Sequence, residues 1–331
     1  MLRTVCLLIC AAAAALALGA CGSGSDEPDR SATAAAAETV TVDTGDRTVT
    51  VPVTHERIWA LDEYSALQLL MLGVVPEHAG RLIDDDKIRG LLTAAGVELV
   101  DRSKLELVAA ARPELIVGMR YTDVDRLRPQ LEQIAPVVIV TDQRPWDEQL
   151  RVLAKVTDRG AAAEEIVTRV ETATRRLAAR IARSDMAGAT VSVLASYPDT
   201  FYAFDDGTVF GRLLRRLGFE RPAAQIDGND GGKDDYGFTA VSEELLGEHA
   251  GDVVIALVDD GYTGGRPVFE TPTLDTRGSL TAEVDYTGWF STTGLSAWWV
   301  LHDLDAILLR RTAPAKPADA PALWAQLTGR D

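Results

Sequence analysis

The chain has 331 residues, 47% of them apolar and 25% charged, a globular balance that rules out a disordered polymer and a disulfide-stapled miniprotein. Its formal net charge of -17 argues against a nucleic-acid partner, since phosphate would repel a chain with no strongly basic face. With only 3 Cys and 4 scattered His, a zinc cluster has too few ligands to draw on.

Residues 1–20 read as an export signal: Arg3 near the start, an apolar and small-residue run over 5–17, and small residues at the end. The closing Leu18-Gly19-Ala20-Cys21 resembles the bacterial lipobox, which implies acylation of Cys21 as the first mature residue. The alternative is an uncleaved membrane anchor, because about 20 apolar residues span a bilayer. Cys6 and Cys10 leave with the peptide, which removes disulfides and thiol chemistry from the mature chain. Gly22-Ser23-Gly24-Ser25 and an Ala/Asp/Pro-rich stretch make 21–38 a flexible tether.

Val40-Thr41-Val42 and Val49-Thr50-Val51 flank Thr44-Gly45-Asp46-Arg47 and predict a hairpin. From Arg57 onward short β-branched runs alternate with helical stretches, which predicts an α/β fold with a mostly parallel sheet. Strands are expected at 57–61, 115–118 and 137–140, and helices at 65–72, 88–95, 124–135 and 146–156. Residues 161–182 contain no Gly or Pro and place Ile166, Val170, Ala173, Leu177 and Ile181 on one face of a single long helix. The alternation then restarts, with strands at 190–196 and 253–257 and helices at 209–217 and 295–309. A Pro/Ala-rich tail, 312–331, ends the chain. The economical reading is two α/β lobes, 39–157 and 188–311, joined by the helical connection 158–187. The halves share a local pattern: Glu106 stands eight residues before Glu114, and Glu244 eight before Asp252, each acidic pair leading into an apolar run.

No nucleophile elbow, phosphate loop, dinucleotide fingerprint or zinc-protease motif is present. Gly231-Gly232-Lys233 lacks phosphate-loop spacing, and Asp84-Asp85-Asp86 lacks EF-hand spacing and reads as a loop or helix start. In open α/β sheets ligands sit beyond the carboxyl ends of the strands. Those ends carry Asp62, Glu63, Tyr64, Arg81, Arg120, Tyr121, Arg144 and Trp146 in the first half. Tyr197, Phe204, Asp259 and Tyr262 stand at the corresponding places in the second, and Trp289-Phe290 precede the final helix. Aromatic and arginine side chains so placed suit a flat, polarizable, anionic ligand; the competing reading is that many of them simply pack the lobe surfaces.

Val49-Thr50-Val51-Pro52 with Glu56-Arg57-Ile58-Trp59-Ala60-Leu61-Asp62, Leu70-Met71-Leu72-Gly73-Val74-Val75-Pro76, and Glu106 through Pro113-Glu114-Leu115-Ile116-Val117 follow one another in the first half. Gly211-Arg212-Leu213-Leu214-Arg215-Arg216-Leu217-Gly218, Ser242-Glu243-Glu244-Leu245, Trp289, and Val300-Leu301-His302-Asp303-Leu304 follow in the second. In this order, behind a lipobox, they resemble the class III, siderophore-type substrate-binding proteins of ABC importers. Two departures stand out: Glu114 replaces the usual Asp, and Gly251-Asp252 lacks the usual Pro.

The resemblance implies a bilobal class III periplasmic-binding-protein fold with one rigid connecting helix and a cleft that moves little. It implies a monomeric receptor on the outer face of the bacterial cell membrane, lipid-anchored through Cys21, with no catalytic role and no permanent cofactor or metal. Such a receptor captures a ferric siderophore and delivers it to a permease dimer served by a separate ATPase. By position, Glu106 and Glu244 are the carboxylates that dock on permease arginines. Haem or cobalamin are alternative ligands of the same class, Tyr121 or Tyr262 being possible axial ligands. A chelatase-like enzyme is a further alternative, for which His55, His78, His249 and His302 show no suggestive neighbour in the sequence.

Overall fold

Alternating Thr and Val build the opening strands β1 (Thr39–Asp43) and β2 (Thr48–Pro52), an antiparallel hairpin in which Val42 and Val51 turn inward. Gly45 in its turn has φ of 104°, a left-handed conformation, and the Thr141 methyl occupies the space a Cβ would need. The hairpin thereby docks closely enough for Thr141 N–H to reach Thr44 C=O at 3.0 Å. The computed structural model describes residues 38–83, 85–120, 124–226, 237–259, 261 and 263–330, so the expected signal, lipobox and most of the tether lie outside the described residues.

The first sheet contains β3 (Ile58–Ala60), β4 (His78–Arg81), β5 (Glu98–Asp101), β6 (Leu115–Met119) and β7 (Val137–Val140). Between them run α1 (Glu63–Met71), α2 (Asp86–Ala94), α3 (Leu105–Ala111) and α4 (Val124–Leu131), with α5 (Trp146–Val156) after the last. All pairings are parallel, in the order β5-β4-β3-β6-β7. β6 and β7 are buried throughout, which is why they read as unbroken apolar runs rather than alternating ones. Asp62 and Asp85 cap α1 and α2, so both helices start two residues before the apolar periodicity suggests.

The long helix α6 (Gly160–Ile181) is 22 residues, about 33 Å at 1.5 Å per residue. Ile166, Val170, Leu177 and Ile181 are buried as expected and Ala173 is half-buried. The second sheet contains β8 (Val191–Ser196), β9 (Phe201–Phe204), β10 (Phe238–Val241), β11 (Val253–Val258) and β12 (Leu280–Asp285). Its helices are α7 (Val209–Arg216), α8 (Tyr286–Phe290) and α9 (Gly294–Leu304), the last prolonged by a π-helical turn to Arg310. The order is β10-β9-β8-β11-β12, with β9 antiparallel to both neighbours and the other pairings parallel. Position by position this matches the first sheet, β3 and β8 occupying the two centres.

The Pro/Ala-rich end is not an extended tail. Pro321 opens α10 (Ala320–Thr328), whose Leu323 and Leu327 are buried against α2, α6 and α9. Arg169 donates to Gln326 C=O at 3.0 Å, and Arg330 to Leu70 C=O at 2.7 Å. The segment therefore ties α1 and α2 of one lobe to α9 of the other. Among the described residues no helix is long and apolar enough to cross a membrane.

Candidate functional site

Two acidic residues at the end of β3 hold the carboxyl edge of the first sheet. Asp62 is buried, which pushes its pKa up, yet its carboxyl accepts from Ser65 N–H and Met119 N–H, both at 2.8 Å, and from Ser65 Oγ at 3.0 Å. Glu63, likewise raised by burial, accepts from Leu82 N–H at 2.7 Å and Ile83 N–H at 3.2 Å, with Arg89 at 3.5 Å. These carboxyls fasten the exits of β3, β4 and β6 to one another. Their place is in the scaffold rather than at the ligand surface.

The lobes meet where those exits face the segment after β12. Lys87 extends from α2 to Asp285 at 3.0 Å, is 3.3 Å from Asp85, and donates to Thr287 Oγ1. Burial pushes the Asp285 carboxyl up, and the Lys87 ammonium opposes that shift. Beside it Thr292 Oγ1 lies 3.9 Å from Met119 Sδ. Trp146 covers Gly294 so closely that a Cβ there would sit 3.0 Å from its ring. This polar and aromatic floor joins the carboxyl ends of both sheets.

On the second lobe the floor continues into a string of rings. Tyr202 packs edge-on to Phe238 (5.2 Å between centroids), Phe238 lies 5.8 Å from Phe290, and Phe290 stacks on Tyr286 at 5.2 Å. Tyr197 Oη donates to Tyr286 Oη at 2.8 Å. Tyr197, Tyr202, Phe238 and Phe290 are half-buried, so the cluster is a surface as well as a core. Tyr197 also borders a cavity of about 500 Å³ shared with Asp199, Ser242, Glu243, Glu244 and Arg266.

The expected ligand residues divide accordingly. Tyr64 is half-buried at the start of α1, Arg81 is exposed at the end of β4, and Trp146 lies on the inter-lobe floor. Arg120 pairs with Asp125 at 2.9 Å, and this hydrogen bond raises its pKa further. Arg144 is held on the hairpin by Asp43 at 2.7 Å. Tyr121 and Tyr262 lie outside the described residues. Trp289 requires correction: it is fully buried, donating to Asp303 at 2.8 Å and packed 5.5 Å from Phe210, so it is a core residue of the second lobe with no surface to offer a ligand. Phe204 is buried in the same way.

Lys87, Asp285 and the rings of Tyr202, Phe238 and Tyr286 were not among the sequence candidates, whereas Phe290 was. The strand-end rule would have found Asp285 and Tyr286 had the alternating Leu280–Asp285 segment been recognised as a strand. Of the histidines, His249 is buried, which lowers its pKa, and its Nδ1 lies 3.2 Å from Gln225; His78 stacks on Trp59 at 4.8 Å. Among the described residues no group of three or more His, Cys, Asp or Glu is placed to hold a metal ion.

Glu106 and Glu244 occupy equivalent, exposed places. Glu106 is the second residue of α3, nine residues before β6 begins at Leu115. Glu244 is the second residue of the 3-10 helix Glu243–His249, nine before β11 begins at Val253. Hydrogen bonds from its own backbone N–H and from Ser242 hold the Glu244 carboxyl below the usual range, so it carries full charge at neutral pH.

The chain is similar to known proteins in both sequence and shape. It is 24% identical over 210 residues to "Probable siderophore-binding lipoprotein YfiY" of Bacillus subtilis (strain 168), a match spanning 62% of this chain and 64% of that relative. Its fold superposes on FhuD2 from Staphylococcus aureus with bound ferrioxamine B, with a TM-score of 0.65 and 19% identity over 77% of this chain and 98% of that one. It also superposes on Staphylococcus aureus SirA complexed with staphyloferrin B, with a TM-score of 0.66 and 19% identity over 81% and 97%. Residues 58–265 match the periplasmic binding protein family, and with both matched sheets and the connecting helix in place the chain belongs to that family.

Proposed function

We propose that this protein is an extracytoplasmic receptor, lipid-anchored through Cys21, that captures a ferric siderophore between its lobes and delivers it to the permease of an ABC importer. The observation that carries the reading is the convergence of both sheets' strand ends on one floor, with cationic residues on the first lobe and half-exposed rings on the second. The ligands bound in the related structures, ferrioxamine B and staphyloferrin B, support the same ligand class. Tyr64, Arg81, Arg120, Arg144, Trp146 and Tyr197 are the contacts we assign, with Tyr121 and Tyr262 as further candidates. Glu106 and Glu244 are assigned to the permease.

Tryptophan fluorescence titrations with ferrioxamine B, ferric staphyloferrin B, haem and cobalamin test the reading, with Trp146 as the reporter on the floor. At least one ferric siderophore should quench, and Arg120→Ala should weaken its binding by about thirtyfold, the loss of one charge-assisted contact worth about 2 kcal/mol. Quenching by haem or cobalamin alone would replace the ligand class. An unchanged affinity in Arg120→Ala would remove that residue from the site.

The anchor has its own test. Cys21→Ser should yield unlipidated protein in the medium or an unprocessed precursor, read by fractionation and intact mass. A fully processed Cys21→Ser product that stays on the membrane would contradict acylation at that position.

A further inference from the structure

Few large apolar side chains stand out in solvent among the described residues, and two of them share one structural address. Leu107 is 42% exposed and Leu245 is 49% exposed, each directly after a glutamate assigned to docking. Each stands eight residues before the first residue of the strand that follows the central one, β6 or β11. The next residue, Val108 or Leu246, is fully buried in its own lobe. Both short helices thus have the same rotation: one apolar residue anchors inward and its neighbour points outward beside an exposed carboxylate.

A single exposed leucine needs no explanation. The same exposed Glu-Leu pair at the same position of both lobes, on helices that differ in type, is another matter. Neither helix needs the outward leucine for its own packing, since Val108 and Leu246 already fill that role.

We propose that Leu107 and Leu245 are a matched pair of apolar knobs that enter two shallow sockets, each rimmed by basic side chains, on a twofold-related pair of membrane subunits of the importer. The proposal rests on the docking reading given above and deepens it. Charge complementarity selects the partner: Glu106 and Glu244 bring a carboxylate to each rim while the leucines supply the desolvated centre. Duplicated knobs on one chain fit a partner that presents the same socket twice. The charges set orientation and encounter rate, and the knobs slow dissociation.

The test uses the full-length lipidated protein as the sole copy in cells, with uptake of whichever iron-radiolabelled siderophore, ferrioxamine B or staphyloferrin B, the purified protein binds. Leu107→Ser/Leu245→Ser should cut the uptake rate at least tenfold while siderophore affinity, melting temperature and abundance match wild type. Leu107→Met/Leu245→Met should restore most of it. If the Ser pair takes up iron within twofold of wild type while Glu106→Ala/Glu244→Ala is impaired, the knobs are refuted and docking stands. If neither pair affects uptake, docking itself is refuted and the knobs with it. If the wild type sediments as a dimer and the Ser pair as a monomer, the two leucines serve self-association and the proposal is overturned.

Discussion

Cells whose only copy carries Glu106→Lys/Glu244→Lys should lose siderophore-dependent iron uptake almost entirely, while the purified protein keeps its ligand affinity and melting temperature. Both carboxylates are exposed, Glu244 on the rim of the cavity it shares with Tyr197, so their loss removes no core contact. As ordinary exposed residues in the first turn of a helix they would contribute little to stability through the helix dipole. Reversal changes two attractions into two repulsions, and like charges facing one another across an interface cost several kcal/mol. Compensating Arg→Glu changes in the permease should recover part of the uptake. Normal uptake by the double Lys variant at wild-type abundance would leave the two glutamates as helix-start residues only.

Trp289→Ala should lower the stability of the second lobe by about 4 kcal/mol, measured by urea unfolding, and leave siderophore affinity of the folded protein within about twofold. The ring is sealed between Phe210 and α9, and its Nε1 supplies one of the hydrogen bonds to the fully buried Asp303. Truncation opens a cavity and also leaves Asp303 Oδ2 short of a partner, while Oδ1 keeps Ala315 N–H at 2.7 Å. Trp289→Phe should fall in between, since it refills much of the volume without the N–H. A variant that unfolds like wild type but no longer binds would return Trp289 to the ligand surface.

The fold was legible wherever one physical signal dominated. Val137–Val140 and Trp146–Val156 lie where sequence places them, because a doubly buried strand is a continuous apolar run and an amphipathic helix has period 3.6. β5, Glu98–Asp101, carries too few apolar residues for either pattern, and its neighbouring strand rather than local propensity makes it extended. α10 was hidden by composition: Pro and Ala marked 312–331 only as a Pro/Ala-rich tail, although Pro321 in a first turn followed by Leu323 and Leu327 four apart is a helix start. The strand-end rule picked out Trp146, which packs on Gly294, and the half-buried Tyr197, together with Asp62, Glu63 and Trp289, whose burial residue type does not reveal. Lys87 escaped because its partners, Asp285 and Thr287, lie 198 and 200 residues away in the chain.

The docking of α10 across α2, α6 and α9, with Arg330 clasping the end of α1, bears on how an importer would sense whether its receptor is occupied. Opening or closing the lobes would require sliding this helix over one of its three supports. A receptor braced in this way holds Glu106 and Glu244 at nearly the same spacing whether its cleft is filled or vacant. Under the proposed docking, vacant copies then compete with occupied ones for the same importers. Iron flux would follow the ratio of occupied to vacant receptor on the cell surface, so overproducing the protein at limiting siderophore should slow uptake instead of accelerating it.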